Sequence, residues 1–151
     1  MVFDFFHYIC YNKNMKETEK EIIEKTFQIQ KQFKNVQSVF PLHNEIDVPK
    51  TSGLYMLAEK IMPFDFNEEV IYLIKIGQGK NLQRRLNQYK SMNPGAQCIA
   101  FTLIHQVFLN DMEKDWLSFF ENRYPSIDGT KEWFMVPKED YERYCKFGFN
   151  A

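Results

Sequence analysis

The sequence predicts an α+β (α/β) fold, with a small mixed or antiparallel sheet flanked by helices. Three observations predict it. Two runs of β-forming residues, 53–58 and 70–76, lie close enough in the chain to pair as a hairpin. Leu82, Leu86 and Tyr89 recur at i, i+4 and i+7, a spacing that lines one face of a helix. The whole chain reads helix, two strands, helix, strand, helix, strand, helix, the alternation expected of one layered sheet.

Each element has its own signal. Residues 1–13 are aromatic-rich. Over 14–40, Ile22, Ile29, Phe33, Val36 and Phe40 recur at helical spacing among Lys, Glu and Gln, which predicts an amphipathic helix. Its apolar stripe packs either on the domain behind it or on a partner. Residues 41–44 break that pattern. The strand at 53–58 is followed by an expected connecting loop over 59–69, carrying Pro63, Asp65 and Asn67. After the second strand, Asn81 is the expected N-cap of a helix over 82–91, which Pro94 and Gly95 stop. A third strand is expected over 96–109. Asn110 and Asp111 are expected to cap a helix over 112–124, closed by Pro125. A short strand over 132–136 and a C-terminal helix with Pro137 near its first turn complete the chain.

Bulk properties exclude some function classes. With 151 residues the chain has the size of one domain. The net charge is -1, so any nucleic-acid contact has to rest on local charge, not on a basic chain as a whole. Cys10, Cys98 and Cys145 are far apart and odd in number, which argues against a disulfide framework or a zinc knuckle and for a reducing compartment. The first residues lack the basic start of a signal peptide, and no apolar run is long enough to cross a bilayer. The expectation is an intracellular protein with no membrane partner, cytoplasmic or, in a eukaryotic or viral setting, in the nucleus or a viral factory. His7, His43 and His105 show no ligand spacing.

Local charge is concentrated in one place. Lys75, Lys80, Arg84, Arg85 and Lys90 fall within sixteen residues that contain no Asp or Glu. The strand–turn–helix setting invites a dinucleotide reading, but Leu82 stands where G-x-G-x-x-G needs its third glycine. Arg85 flanks the buried stripe of its helix beside Asn81 and Tyr89, so its guanidinium can sit at the edge of the fold. An arginine so placed can grip a phosphate with two parallel hydrogen bonds. The plainer alternative is a solvated basic helix face.

The motifs decide between these. Gly53-Leu54-Tyr55 is followed after twenty-one residues by Ile76-Gly77, and Arg85 lies eight residues beyond Gly77 on the next helix. Further on come Glu113-x-x-Trp116-Leu117-x-x-Phe120 and Glu132-Trp133-Phe134. In order and spacing these resemble the GIY-YIG nuclease family over about residues 52–136. Lys75-Ile76-Gly77 and the closing Glu-Trp-Phe are similar to a phage- and virus-like subgroup.

The resemblance implies a division into an N-terminal helical extension (1–50), a GIY-YIG-like nuclease domain (51–137) and a C-terminal helix packed on it (138–151). It implies a metal-dependent endonuclease acting on DNA, including branched or damaged DNA, with a single Mg²⁺ or Mn²⁺ site. Arg85 would hold the scissile phosphate, Glu113 would bind the metal and Tyr55 would border the attacking water. Gly77 would let the backbone approach closely, and Lys80, Asn81, Arg84, Tyr89 and Lys90 would contact the substrate. Lys75 stands where the main family has its second tyrosine. It would be either a base, if burial favours its neutral form, or a second phosphate contact. Tyr72 and Tyr89 are the reserve tyrosines and Glu121 the reserve metal ligand. Leu117 stands where the subgroup usually has a histidine. These departures keep a second reading open: a weak or inactive nucleic-acid-binding or protein-interaction module, with the N-terminal helix as a partner-binding or self-association element.

Overall fold

Hydrophobic residues make up most of the two longest strands, and their pairing organises everything else. In the computed structural model, β1 spans Phe40–Pro41, β2 Gly53–Ile61 and β3 Ile71–Gly79. Helix α1 (Leu82–Met92) and β4 (Gln97–Leu103) follow, then a 3-10 turn at Gln106–Phe108 that runs into α2 (Leu109–Arg123). A second 3-10 turn (Ile127–Gly129), β5 (Phe134–Val136), α3 (Lys138–Phe147) and a last 3-10 turn (Gly148–Asn150) close the chain. The structure describes residues 21, 40–42, 46–61, 69–93, 95–129 and 131–150. The strands form a five-stranded sheet in the order β1-β4-β2-β3-β5, with every neighbouring pair antiparallel. The expected α+β fold is therefore found, with the sheet wholly antiparallel.

Alternation along the strands divides the core in two. Tyr55 and Leu57 of β2 lie with Leu82, Leu86 and Tyr89 of α1 and Phe101 and Leu103 of β4. Leu54, Met56 and Ala58 lie on the other face, with Trp116 and Phe120 of α2 and Tyr141 and Tyr144 of α3. The Asn81 side chain accepts the Arg84 backbone N–H at 3.1 Å and so caps α1, a role typically worth about 1 kcal/mol. No helix among the described residues is long and apolar enough to cross a membrane.

Several boundaries differ from the sequence expectation, each for a local reason. Most of the expected helix over 14–40 lies outside the described residues. Glu21 is helical, whereas Phe40 is a strand residue paired with Cys98. Pro41 follows Phe40, and a residue before proline is pushed towards extended backbone. The expected loop at 59–69 begins later, because β2 continues through Glu59 and Lys60 to Ile61. Their polar side chains look loop-like, but Lys60 lies over the rings of Tyr72 and Tyr141, 5.7 Å from each centroid.

The expected strand over 96–109 stops at Leu103. His105 Nδ1 accepts the Val107 N–H, which starts the 3-10 turn, and the apolar Phe108 and Leu109 are buried at a helix start instead of along a strand. Asn110 and Asp111 are inside the first turn of α2. Its N-cap is Phe108, with no side-chain cap bond. The last strand is only Phe134–Val136, so Glu132 and Trp133 precede it. Pro137 is the N-cap of α3.

Candidate active site

The short β5 creates an opening. Along β3 it pairs with Tyr72, Leu73 and Ile74, so among the described residues Lys75–Gly79 has a strand partner on one side alone, β2. A cleft of about 250 Å³ lies along that free edge. Because it wraps an edge, it collects side chains from both faces of the sheet. Tyr55, Lys75 and Arg85 come from the α1 side, Glu113 and Leu117 from α2, and Lys131 and Glu132 from the approach to β5.

Tyr55 and Gly77 are direct cross-strand partners. A Cβ at position 77 would fall on the Tyr55 ring and hydroxyl, so glycine there is what lets the phenol lie across β3 towards the cleft. Gly79 does the same for the next step, since a Cβ there would press on Arg85 Cβ at 2.9 Å. Arg85 Nε donates a hydrogen bond to the Tyr55 hydroxyl at 3.3 Å. Burial pushes the Tyr55 phenol above its ordinary pKa, and the neighbouring Arg85 only partly offsets this. Tyr55 thus stays neutral near pH 7. With its oxygen accepting from Arg85, its O–H is left to donate. The Tyr55 contact in turn raises the pKa of Arg85, and Glu113 across the cleft adds to that electrostatically.

Tyr89 supports both cations of this face. Its ring centroid is 4.9 Å from Lys75 Nζ and 5.7 Å from Arg85 Cζ. Lys75 also pairs with Glu132 at 3.7 Å, with its own side chain 14% exposed. The Lys75 side chain is thereby held between a carboxylate and a ring face. Arg85 forms no salt bridge among the described residues, and its bond to Tyr55 uses Nε, which leaves the terminal nitrogens to face a ligand. On the other side of the edge, Glu113 is half-buried and its Oε1 accepts from Gln78 Nε2 at 3.3 Å.

The structure thus brings Tyr55, Lys75, Gly77, Arg85 and Glu113 to one cleft, with Tyr89 beneath two of them. Lys80 and Arg84 are exposed beside it at the start of α1, and Lys90 lies in the last turn of that helix. Asn81 is occupied as the helix cap. Tyr72 and Glu121 do not line the cleft. Tyr72 packs on Tyr141 with centroids 4.7 Å apart, beside a larger groove of about 800 Å³ at the opposite end of β3. That groove's polar groups are partly spent on one another, as in the 2.7 Å bond from the Tyr124 hydroxyl to Asp140.

Sequence reasoning missed Gln78, Lys131 and the ion-pairing role of Glu132. Gln78 was hidden inside a glycine-rich turn. Glu132 was visible as part of Glu-Trp-Phe, but not as the partner of Lys75.

The cleft thus sets cationic side chains, a neutral phenol and the carboxylates of Glu113 and Glu132 on one edge of the small antiparallel sheet of an α+β domain. The T5orf172 domain matches residues 53–147, more than half of the chain, and the chain belongs to that family. It is a domain found in phage and other proteins and related to GIY-YIG- and HNH-like nuclease folds, compatible with a nuclease-like or DNA-binding role. Neither the curated proteins nor the solved structures contain a match to the chain.

Proposed function

We propose that this protein is a metal-dependent endonuclease that hydrolyses DNA phosphodiester bonds at the β3 edge. The observation that carries the reading is the convergence of Arg85, Tyr55 and Glu113 on one cleft from opposite faces of the sheet. Phosphodiester hydrolysis needs charge stabilisation on the phosphorane, a placed water and help for the departing oxygen.

The chain's residues divide this work. The terminal nitrogens of Arg85 grip two oxygens of the scissile phosphate. Tyr55, neutral and backed by Arg85, donates its O–H to a phosphate oxygen or to the attacking water, orienting that water without deprotonating it. Lys75, fixed over Tyr89, adds positive charge where negative charge builds. Lys80, Arg84 and Lys90 follow the phosphate backbone along α1, which makes binding salt-sensitive.

The donor set suits a hard divalent cation. Among the described residues no cluster of three His, Cys, Asp or Glu side chains forms a closed cage. Glu113 is a single carboxylate, half-buried at the cleft and fixed at one oxygen. One carboxylate plus phosphate oxygens is the arrangement that Mg²⁺ or Mn²⁺ takes while keeping several waters. When bound, the ion would supply Lewis-acid stabilisation at the leaving oxygen.

The engagement of Lys75 with Glu132 and Tyr89 favours the second reading, a DNA-binding module with little cleavage, because its side chain is already occupied by a carboxylate and a ring face. Glu113→Gln separates the two. The variant should lose cleavage by more than the roughly 10–100-fold typical of changes outside a metal's ligand shell. Its DNA affinity, read by gel shift in EDTA, should stay within about threefold, under 1 kcal/mol. Cleavage at the wild-type rate in Glu113→Gln would remove Glu113 from the mechanism. DNA binding with no cleavage by either protein would establish the second reading.

A further inference from the structure

Gln78 lies between Gly77 and Gly79, and alternation directs its side chain away from α1 and towards α2. There a single amide nitrogen reaches two acceptors one helical turn apart. Gln78 Nε2 donates to Asn110 Oδ1 at 2.8 Å and to Glu113 Oε1 at 3.3 Å. The chemistry fixes the direction of the whole chain of bonds. An ionised carboxylate can only accept, so Gln78 must turn its NH₂ to Glu113. That NH₂ has two hydrogens, and the second requires an acceptor from Asn110, which sets the Asn110 amide as well. Asn110 is exposed in the first turn of α2 and caps nothing, so this bond is the contact the structure gives its side chain.

The geometry points to Gln78 as a positioning residue for the divalent-metal site at Glu113, with Asn110 orienting Gln78 in turn. This rests on the reading of Glu113 given above. With Oε1 tethered to the sheet edge, the carboxylate at the cleft is restricted in its rotamers and Oε2 is left for an ion. Without the tether, a half-buried glutamate on a helix surface samples several rotamers, and an ion bound through one carboxylate loses its only fixed protein contact. Partners of this kind typically change metal affinity or activity by about 10–100-fold. Glutamine suits this position because its amide supplies two donors at the correct reach. A glutamate would place a second acceptor against Glu113, and an asparagine is one methylene short.

The test is Mn²⁺ binding to the full chain without DNA, read as free-ion electron paramagnetic resonance signal, for the wild type, Gln78→Met, Asn110→Ala and Glu113→Gln. Methionine keeps the length and removes the donors. The expected result is a Kd for Mn²⁺ raised about tenfold in Gln78→Met, a smaller rise in Asn110→Ala and no measurable binding in Glu113→Gln. Tm should be unchanged in Gln78→Met, and saturating Mn²⁺ should restore its plasmid cleavage, a rescue that a merely structural defect would not show. Wild-type Mn²⁺ affinity in Gln78→Met, together with loss in Glu113→Gln, overturns the role of Gln78 and leaves that of Glu113 standing. Equal Mn²⁺ behaviour of the wild type and Glu113→Gln overturns the reading of Glu113 itself, and the tether with it.

Discussion

Arg85→Ala is expected to lower single-turnover DNA cleavage by about 10²–10³-fold, the usual loss when one pre-set donor to a developing oxyanion is removed. The substitution does two things. It removes the terminal nitrogens that face the cleft, and it removes the Nε donor from a Tyr55 hydroxyl that is held by a ring 1% exposed. The second loss matters because the phenol then has no fixed partner and its O–H is no longer directed into the cleft. Arg85→Lys should recover little. An ammonium is a point charge and lacks the planar fork that can satisfy a tyrosine and a phosphate together. Cleavage rates for the two variants, alongside far-ultraviolet circular dichroism to show an intact fold, check this. Rates within a few-fold of wild type in Arg85→Ala would mean that phosphate is held elsewhere.

Gly77→Ala is expected to give a large loss of stability. The new Cβ would occupy the position of the Tyr55 ring and hydroxyl. Tyr55 has little room to yield, since it is packed among Leu82, Leu86, Tyr89 and Phe101. Overpacking of a tight core costs about 1–3 kcal/mol, and displacing the phenol also breaks the bond from Arg85, worth about 1 kcal/mol. Urea denaturation should therefore show a midpoint well below wild type, with cleavage lost even where the chain remains folded. Adding Tyr55→Leu should return part of the stability, because the smaller side chain vacates the space, and should leave cleavage absent. Gly95→Ala is the control: its nearest neighbour would be a flexible carboxylate oxygen 4.0 Å away, so stability should hold. A wild-type midpoint in Gly77→Ala would mean that Tyr55 does not cross β3 at that glycine.

These two residues also show how much of the site the sequence contained. Gly77 and Arg85 were legible because their spacing is local: a strand end, a turn and one face of the next helix. That Gly77 exists for the sake of Tyr55 was not legible, because the contact joins residues twenty-two apart through the register of β2 on β3. Gln78 was invisible for a related reason. Its partners Asn110 and Glu113 lie on α2, and only the layering of that helix on the sheet brings them together. The same layering explains the misread cap. Asn110 has the side chain of a good N-cap, but the 3-10 turn set by His105 starts the helix earlier and leaves Asn110 to Gln78.

The elements were read best where periodicity was strong, as in α1, and worst where apolar content changed partner. The run from Gln97 to Leu109 is mostly apolar, yet it serves a strand as far as Leu103 and then a helix start. Hydrophobicity alone does not mark that change.

We propose that one edge cleft, with Arg85 and Tyr55 on one side and Glu113 on the other, hydrolyses a phosphodiester with the help of a divalent cation. Incubation of purified wild-type protein with supercoiled plasmid, in EDTA and then with added Mg²⁺ or Mn²⁺, tests it most directly. The expected result is open-circular plasmid that appears only with the metal and stops forming when EDTA is restored. Intact plasmid throughout the metal series, together with intact branched and single-stranded substrates and a protein shown to be folded, would contradict it.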